Sequence, residues 1–201
     1  MGDELLDAAA ELRYGDVSDL SNYGGALIDA RAFAKNVAAI ERAKSAARIT
    51  VAVGGEYDDS EGYFVRPTVL LSDDPTDEAF GCEYFGPILA VYVYPDDAYE
   101  QILDLVDTGS RYALTGAVVA DDRAAVQTAQ DRLRFAAGNF YINDKPTGAV
   151  VGQQPFGGSR GSGTNDKAGS ALNLLRWTSA RAIKETFAPP TEHNYPHMAA
   201  P

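Results

Sequence analysis

Chemistry needs reactive side chains at workable spacings, and this sequence offers few. Cys82 is the single cysteine. Nucleophilic catalysis by cysteine requires a lowered pKa and usually a nearby base. Neither shows in its neighbours, and beside Phe80 and Tyr84 a packed or merely exposed thiol is the plainer reading. His193 and His197 are four apart, which would put two metal ligands on one helix face. Pro196 lies between them and no third ligand is near, so a loose tail is the simpler account and no metal site is expected. The run Gly157-Gly158-Ser159-Arg160-Gly161-Ser162-Gly163 lacks the Gly-Lys-Ser/Thr ending of a phosphate cradle and fails the Gly-x-Gly-x-x-Gly order. Taken alone it reads as a turn-rich loop. Glu83-Tyr84-Phe85-Gly86-Pro87 is richer. In extended chain, a carboxylate and a ring two apart point the same way, and Gly-Pro then turns the chain. Such a pair can grip a sugar diol and wall a flat ring. A solvated glutamate beside a core phenylalanine is the competing reading.

The elements that would position these groups alternate in type. Residues 29–47 place Phe33, Val37, Ile40 and Ala47 on one helical stripe. Residues 49–53 are β-prone and closed by Gly54-Gly55. Residues 63–71 are a second β-rich stretch, in which Pro67 predicts an edge or a break. Residues 88–94 are nearly all apolar, the pattern of a strand buried on both faces of a parallel sheet. Pro95-Asp96-Asp97 starts a helix that buries Tyr99, Ile102, Leu103 and Val106. A strand over 114–120 follows. Next comes a helix capped by Asp121 or Asp122 with Val126, Ala129 and Leu133 inward, then a strand over 140–142. This order predicts right-handed crossovers in an α/β sheet.

Residues 145–169 are rich in Gly, Ser, Thr and Pro and show no periodicity. An ordered functional loop is favoured there, with disorder as the alternative. A short helix over 168–175 and a half-exposed strand over 182–187 are expected, then a loose tail over 188–201.

A chain of 201 residues can bury a real core. Its net charge of -12 argues against nucleic acid or an anionic membrane as partner. No apolar run approaches the roughly 20 residues of a membrane span. Met1-Gly2-Asp3-Glu4 does not open like a signal peptide. One cysteine allows no internal disulfide, and a cytoplasmic address is the expectation.

Several segments, in order, resemble one family. They are Gly62-Tyr63-Phe64-Val65-Arg66-Pro67-Thr68-Val69, Glu83-Tyr84-Phe85-Gly86-Pro87, Tyr112-Ala113-Leu114-Thr115-Gly116 and Pro155-Phe156-Gly157-Gly158-Ser159-Arg160-Gly161-Ser162-Gly163. Together they resemble the aldehyde dehydrogenases. The stretch from Gly138-Asn139-Phe140-Tyr141-Ile142-Asn143-Asp144-Lys145 to Gly152-Gln153-Gln154-Pro155-Phe156 is similar to those acting on glutamate γ-semialdehyde, as are Thr164-Asn165-Asp166-Lys167 and Leu175-Arg176-Trp177.

The resemblance implies a partial catalytic domain over 1–180, with a mostly parallel sheet flanked by helices. A C-terminal oligomerisation strand over 181–190 and a tail over 191–201 would follow. It implies that NAD is the cofactor, with Glu83 on the nicotinamide ribose hydroxyls and Phe85 near the nicotinamide. The amides of Gly148 and Ala149 would hold the substrate carboxylate, and Phe156 would pack on its aliphatic part. The family nucleophile falls upstream of Met1 by count from Glu83, so Cys82 is not that residue and no catalytic residue is assigned. The dinucleotide-binding domain is missing from this sequence too. An isolated chain is therefore expected to bind NAD weakly or not at all, and to need an upstream polypeptide or a homo-oligomer. The complete enzyme would take a small-molecule substrate in proline degradation. The alternative is a truncated, non-catalytic relic or assembly partner.

Overall fold

The computed structural model describes residues 2–146, 149–150 and 152–198. Helix α1, Gly2–Glu11, buries no residue of its own. Helix α2, Ala30–Ser45, begins where Asp29 accepts the Ala32 N–H at 2.8 Å and so satisfies one orphan amide of the first turn. Its buried stripe is Asn36, Ala39, Ile40 and Ala43, at helical spacing. Two expectations are corrected there. The helix ends before Ala47, which is exposed, and Phe33 and Val37 are only half-buried. An asparagine occupies the deepest part of the stripe.

Strands β1, Ile49–Val53, and β4, Thr68–Ser72, pair antiparallel, with a register shift between Val51 and Val53. Between them β2, Tyr57–Asp58, and β3, Phe64–Val65, form a small antiparallel ribbon. Pro67 separates β3 from β4, as a residue without an amide donor should. Strand β5, Ile88–Tyr92, runs parallel to β4. Expected to be buried on both faces, it is not: it forms the edge of the order β1-β4-β5, and Leu89 is exposed. Ile88 packs on the Ala43, Ile49 and Leu70 cluster, while Leu89 stands on the opposite face, where no such cluster of buried residues covers it among the described residues.

Helix α3, Glu78–Gly81, is capped by Asp77. Helix α4, Tyr99–Thr108, buries only Leu103 of its predicted stripe; Val106 is exposed. Strand β6, Tyr112–Ala113, leads into β7, Thr115–Val118. Helix α5, Arg123–Arg132, is capped by Asp122, and Val126 and Ala129 are buried as expected. It crosses to β8, Asn139–Ile142, which pairs parallel with β7, as a helical crossover requires. Strand β9, Ser159–Arg160, pairs antiparallel with β6, and α6, Ala171–Leu174, runs into a 3-10 turn over Leu175–Trp177, with a further 3-10 turn over Pro196–Met198. The α/β class holds, with parallel pairing at β4–β5 and β7–β8 and antiparallel pairing at the other three contacts.

The core is split. Ala43, Ile49 and Leu70 form one cluster with Val51 and Ile88, beneath β1-β4-β5. Leu103, Ala129 and Leu133 form another with Val118 and Phe140, beneath β7-β8. The strand expected over 182–187 is absent. Those residues are exposed and have no strand beside them in the single chain, so no ladder can form.

Candidate cofactor and substrate site

Helix α2 and the chain after α3 build the first half of the site. Tyr84 is buried, and its hydroxyl donates to Glu78 Oε1 at 3.1 Å. Burial pushes its phenol up to about 12. Arg42 grips Asp77 with two hydrogen bonds, at 2.8 and 3.1 Å, and these hold the Asp77 carboxyl below the usual range. Glu83 and Phe85 are both exposed on either side of the buried Tyr84, but the shared direction expected of extended chain does not carry over: Phe85 is not extended, and Glu83 lines a cleft that Phe85 does not. Phe85 adopts φ 57° and is 76% exposed. A left-handed phenylalanine is uncommon and persists only where its surroundings hold it. Those surroundings are specific. Lys35 Nζ donates to the Glu83 carbonyl at 3.0 Å and lies 5.7 Å from the Phe85 ring centre. Asn36 Nδ2 donates to the Tyr84 carbonyl at 3.2 Å and the Ala32 carbonyl at 2.9 Å. A side chain at position 86 would overlap Asn36 Oδ1, so Gly86 is required by close approach.

Cys82 is exposed and lines a cleft with Glu83, Glu78, Tyr112 and Leu114; no histidine lines it. Neither Phe85 nor Phe156 lines that cleft.

The loop after β8 builds the second half. Gly148 lies outside the described residues; Ala149 is half-buried. Phe156 is half-buried too, and its backbone exchanges hydrogen bonds with Ala168 at 2.9 and 2.8 Å. Asn139 accepts the Gly157 N–H at 3.2 Å and donates to the Pro155 carbonyl at 3.0 Å. Lys167 Nζ donates to the carbonyls of Gly138 and Gly157 and to Asn139 Oδ1. Burial lowers its pKa. The loop is thus ordered around Phe156, against the disordered alternative. Lys35 and Asn36 went unread in the sequence, and Lys167 was read only as part of a family-like segment. For Asn36 there was a usable signal, since a polar residue stands four before Ile40 on the buried stripe.

His193 and His197 are exposed, and no group of three or more potential metal ligands occurs among the described residues.

The profile of the aldehyde dehydrogenase family matches residues 1–183. A Dictyostelium discoideum protein named mitochondrial Δ1-pyrroline-5-carboxylate dehydrogenase is 51% identical over 99% of this chain, which spans 36% of that relative. The human protein of the same name is 50% identical over 96% of this chain and 35% of its own length. The crystal structure of Δ-pyrroline-5-carboxylate dehydrogenase from Mycobacterium tuberculosis is 82% identical, with a TM-score of 0.87, over all of this chain and 37% of that one. A second structure of the Mycobacterium enzyme is described as bound with NAD. This chain therefore spans little more than a third of the relatives it matches, and over that third the family profile, the identity and the TM-score agree: it belongs to the aldehyde dehydrogenase family.

Proposed function

We propose that the chain is the C-terminal part of an NAD-dependent dehydrogenase that oxidises L-glutamate γ-semialdehyde to L-glutamate in proline degradation. The observation that carries this is the 82% identity to the Mycobacterium tuberculosis enzyme across the whole chain, with a TM-score of 0.87. The residues present fit one end of a dinucleotide. The Glu83 carboxylate can accept from two adjacent ribose hydroxyls. The outward Phe85 ring, held by its left-handed backbone, offers a face to a flat ring. When bound, NAD supplies the hydride acceptor. The chain's own residues orient and anchor. Amides of Gly148 and Ala149 hold the α-carboxylate as paired backbone donors, and Phe156 walls the methylenes. Nothing here supplies a thiolate with a base, so the bond-forming step belongs to the rest of the enzyme. We also assign residues 181–190 to contact between copies, because Ile183 and Phe187 stand exposed there.

The test is to join the chain, by fusion, to the part of the Mycobacterium relative that it does not cover. The joined protein should reduce NAD with L-glutamate γ-semialdehyde. Gly148→Val should raise KM for that substrate about tenfold, by analogy with losing one good carboxylate contact, and should spare an aldehyde that has no carboxylate. A second reading, a non-catalytic assembly partner or relic, draws on the cleft around Cys82, which no histidine lines. It requires that the joined protein show no turnover.

A further inference from the structure

The Lys167 ammonium is held by three oxygen atoms, none of them on a carboxylate. Its Nζ donates to the Gly138 carbonyl, to the Gly157 carbonyl at 3.1 Å and to Asn139 Oδ1 at 3.3 Å. An ammonium carries three N–H donors, so three converging acceptors match its capacity. Half-burying a cation has a cost, and no carboxylate among the described residues offsets it. The backbone at Lys167 is left-handed as well, with φ 54°, and Asn165 two positions earlier has φ 57°. Such residues persist only where their surroundings hold them. Both the side chain and the backbone at 167 are thus fixed by what surrounds them.

What Lys167 joins is the turn that carries Phe156. The Pro155 carbonyl accepts from Asn139 Nδ2 at 3.0 Å, and the Gly157 N–H donates to Asn139 Oδ1 at 3.2 Å. Lys167 takes the Gly157 carbonyl and shares that same Oδ1. Both neighbours of Phe156 are therefore tied to the start of β8. Phe156 itself exchanges two backbone hydrogen bonds with Ala168, the residue after Lys167. The approach is close, since a side chain at Gly138 would overlap the Gly157 carbonyl. Without the ammonium, two carbonyls and an amide oxygen would be gathered around no donor. We infer that Lys167 is a positioning residue for substrate choice: its ammonium gathers the Gly138, Asn139 and Gly157 oxygens and so fixes the Phe156 ring where it walls the substrate's methylenes. This role rests on the reading above that Phe156 faces the substrate. Lys167 acts through that ring and not on the substrate itself.

In the free chain, Lys167→Met should loosen this turn alone. The amides of Phe156, Gly157 and Ala168 should exchange with solvent roughly tenfold faster, while the Ile40 amide in α2 keeps its rate. In the joined protein, Lys167→Met should raise KM for L-glutamate γ-semialdehyde about tenfold, the effect of losing one well-placed contact, with kcat changed far less. Acetaldehyde, which has no methylenes to wall, should show no such rise. Phe156→Ala should raise KM by a similar factor, and adding Lys167→Met to it should raise KM little further, because both act through one ring. Lys167→Arg keeps the charge but spreads its donors in a plane, so it should behave as Lys167→Met does. It also serves in place of Lys167→Met if that variant does not fold; failure of both to fold overturns the local role. Unchanged exchange at Phe156 and Ala168, an unchanged KM, or KM losses that multiply in the double variant overturn the positioning role and leave the family reading intact. A joined protein without turnover overturns the reading of function instead, and the exchange rates of the free chain then decide whether Lys167 fixes the turn.

Discussion

Asn36 and Tyr84, 48 positions apart, are tied by a single hydrogen bond in which Asn36 Nδ2 donates to the Tyr84 carbonyl at 3.2 Å. Asn36 is fully buried, and its Oδ1 has no hydrogen-bond partner and sits against Gly86. Helix α2 thereby sets the path of the segment that carries Glu83 and Phe85. Asn36→Leu should cost about 1–3 kcal/mol, since it removes two donor bonds and leaves the Tyr84 carbonyl unpaired. Gly86→Ala should cost a similar amount, about 1–3 kcal/mol, by overpacking against Oδ1. In an Asn36→Ala background the Gly86→Ala cost should shrink, giving a coupling of about 1 kcal/mol. Urea denaturation of the four proteins measures it, and strict additivity would mean that the two positions do not meet.

The Arg42–Asp77 pair predicts acid behaviour. Hydrogen bonds from Arg42, then from the Ala79 amide, hold the folded Asp77 carboxyl below its ordinary 3.8. A lowered folded pKa means that the stabilisation is complete above the unfolded value and is lost as pH falls through the folded one. Stability should therefore drop below about pH 4, the ordinary carboxylate range, more steeply in the native protein than in Asp77→Asn. Parallel acid titrations followed by circular dichroism would show this. Identical curves would remove the pair from the acid limb.

Lys167 should act at the other end of the scale. Burial lowers its folded pKa below the ordinary 10.5, so the unfolded chain binds more protons between the two values. Stability from this group is then gained as pH rises through that window and lost again on the way down through the folded value. The difference in stability between native protein and Lys167→Met should widen in favour of the native chain as pH rises toward 10.5. Tyrosines titrate in both proteins and cancel in that difference. A flat difference would show that the ammonium is fully solvated.

The isolated chain should neither turn over glutamate γ-semialdehyde nor bind NAD at micromolar concentration. Glu83 and Phe85 reach only the nicotinamide end in the proposed site, and a dinucleotide's pyrophosphate ordinarily rests on a helix N-terminus in a domain of its own. Calorimetric titration and absorbance of the reduced cofactor test both statements. Turnover abolished by Cys82→Ser would make that thiol catalytic.

Much of this was legible where the signals are local. Asp122, one of the two expected caps, caps its helix, Val126, Ala129 and Leu133 face inward, and Pro67 breaks a β-rich run, all from spacing and side-chain chemistry. What stayed hidden depends on distant partners. The apolar run at 88–94 states that both faces want cover, not which chain provides it, and here Val93 is left 81% exposed. Residues 182–187 alternate as a strand does, yet alternation cannot create a neighbour. Lys167 entered only as part of a family-like segment, without a role, because its acceptors, Gly138, Asn139 and Gly157, come from elsewhere in the chain. Glu83 and Phe85 were assigned through family likeness, and the left-handed turn at Phe85, which breaks the alternation assumed for extended chain, depends on Lys35 and Asn36 of a distant helix.

The division between the cluster at Ala43 and Leu70 and the cluster at Leu103 and Ala129 bears on cooperativity. All-or-none melting requires that loosening one part of a core penalise the rest. With no shared layer, either half can open while the other keeps its contacts, so the free chain should melt in two overlapping calorimetric transitions, its calorimetric enthalpy exceeding the van't Hoff value. Bridging the halves with a polypeptide that touches both would turn two melting units into one.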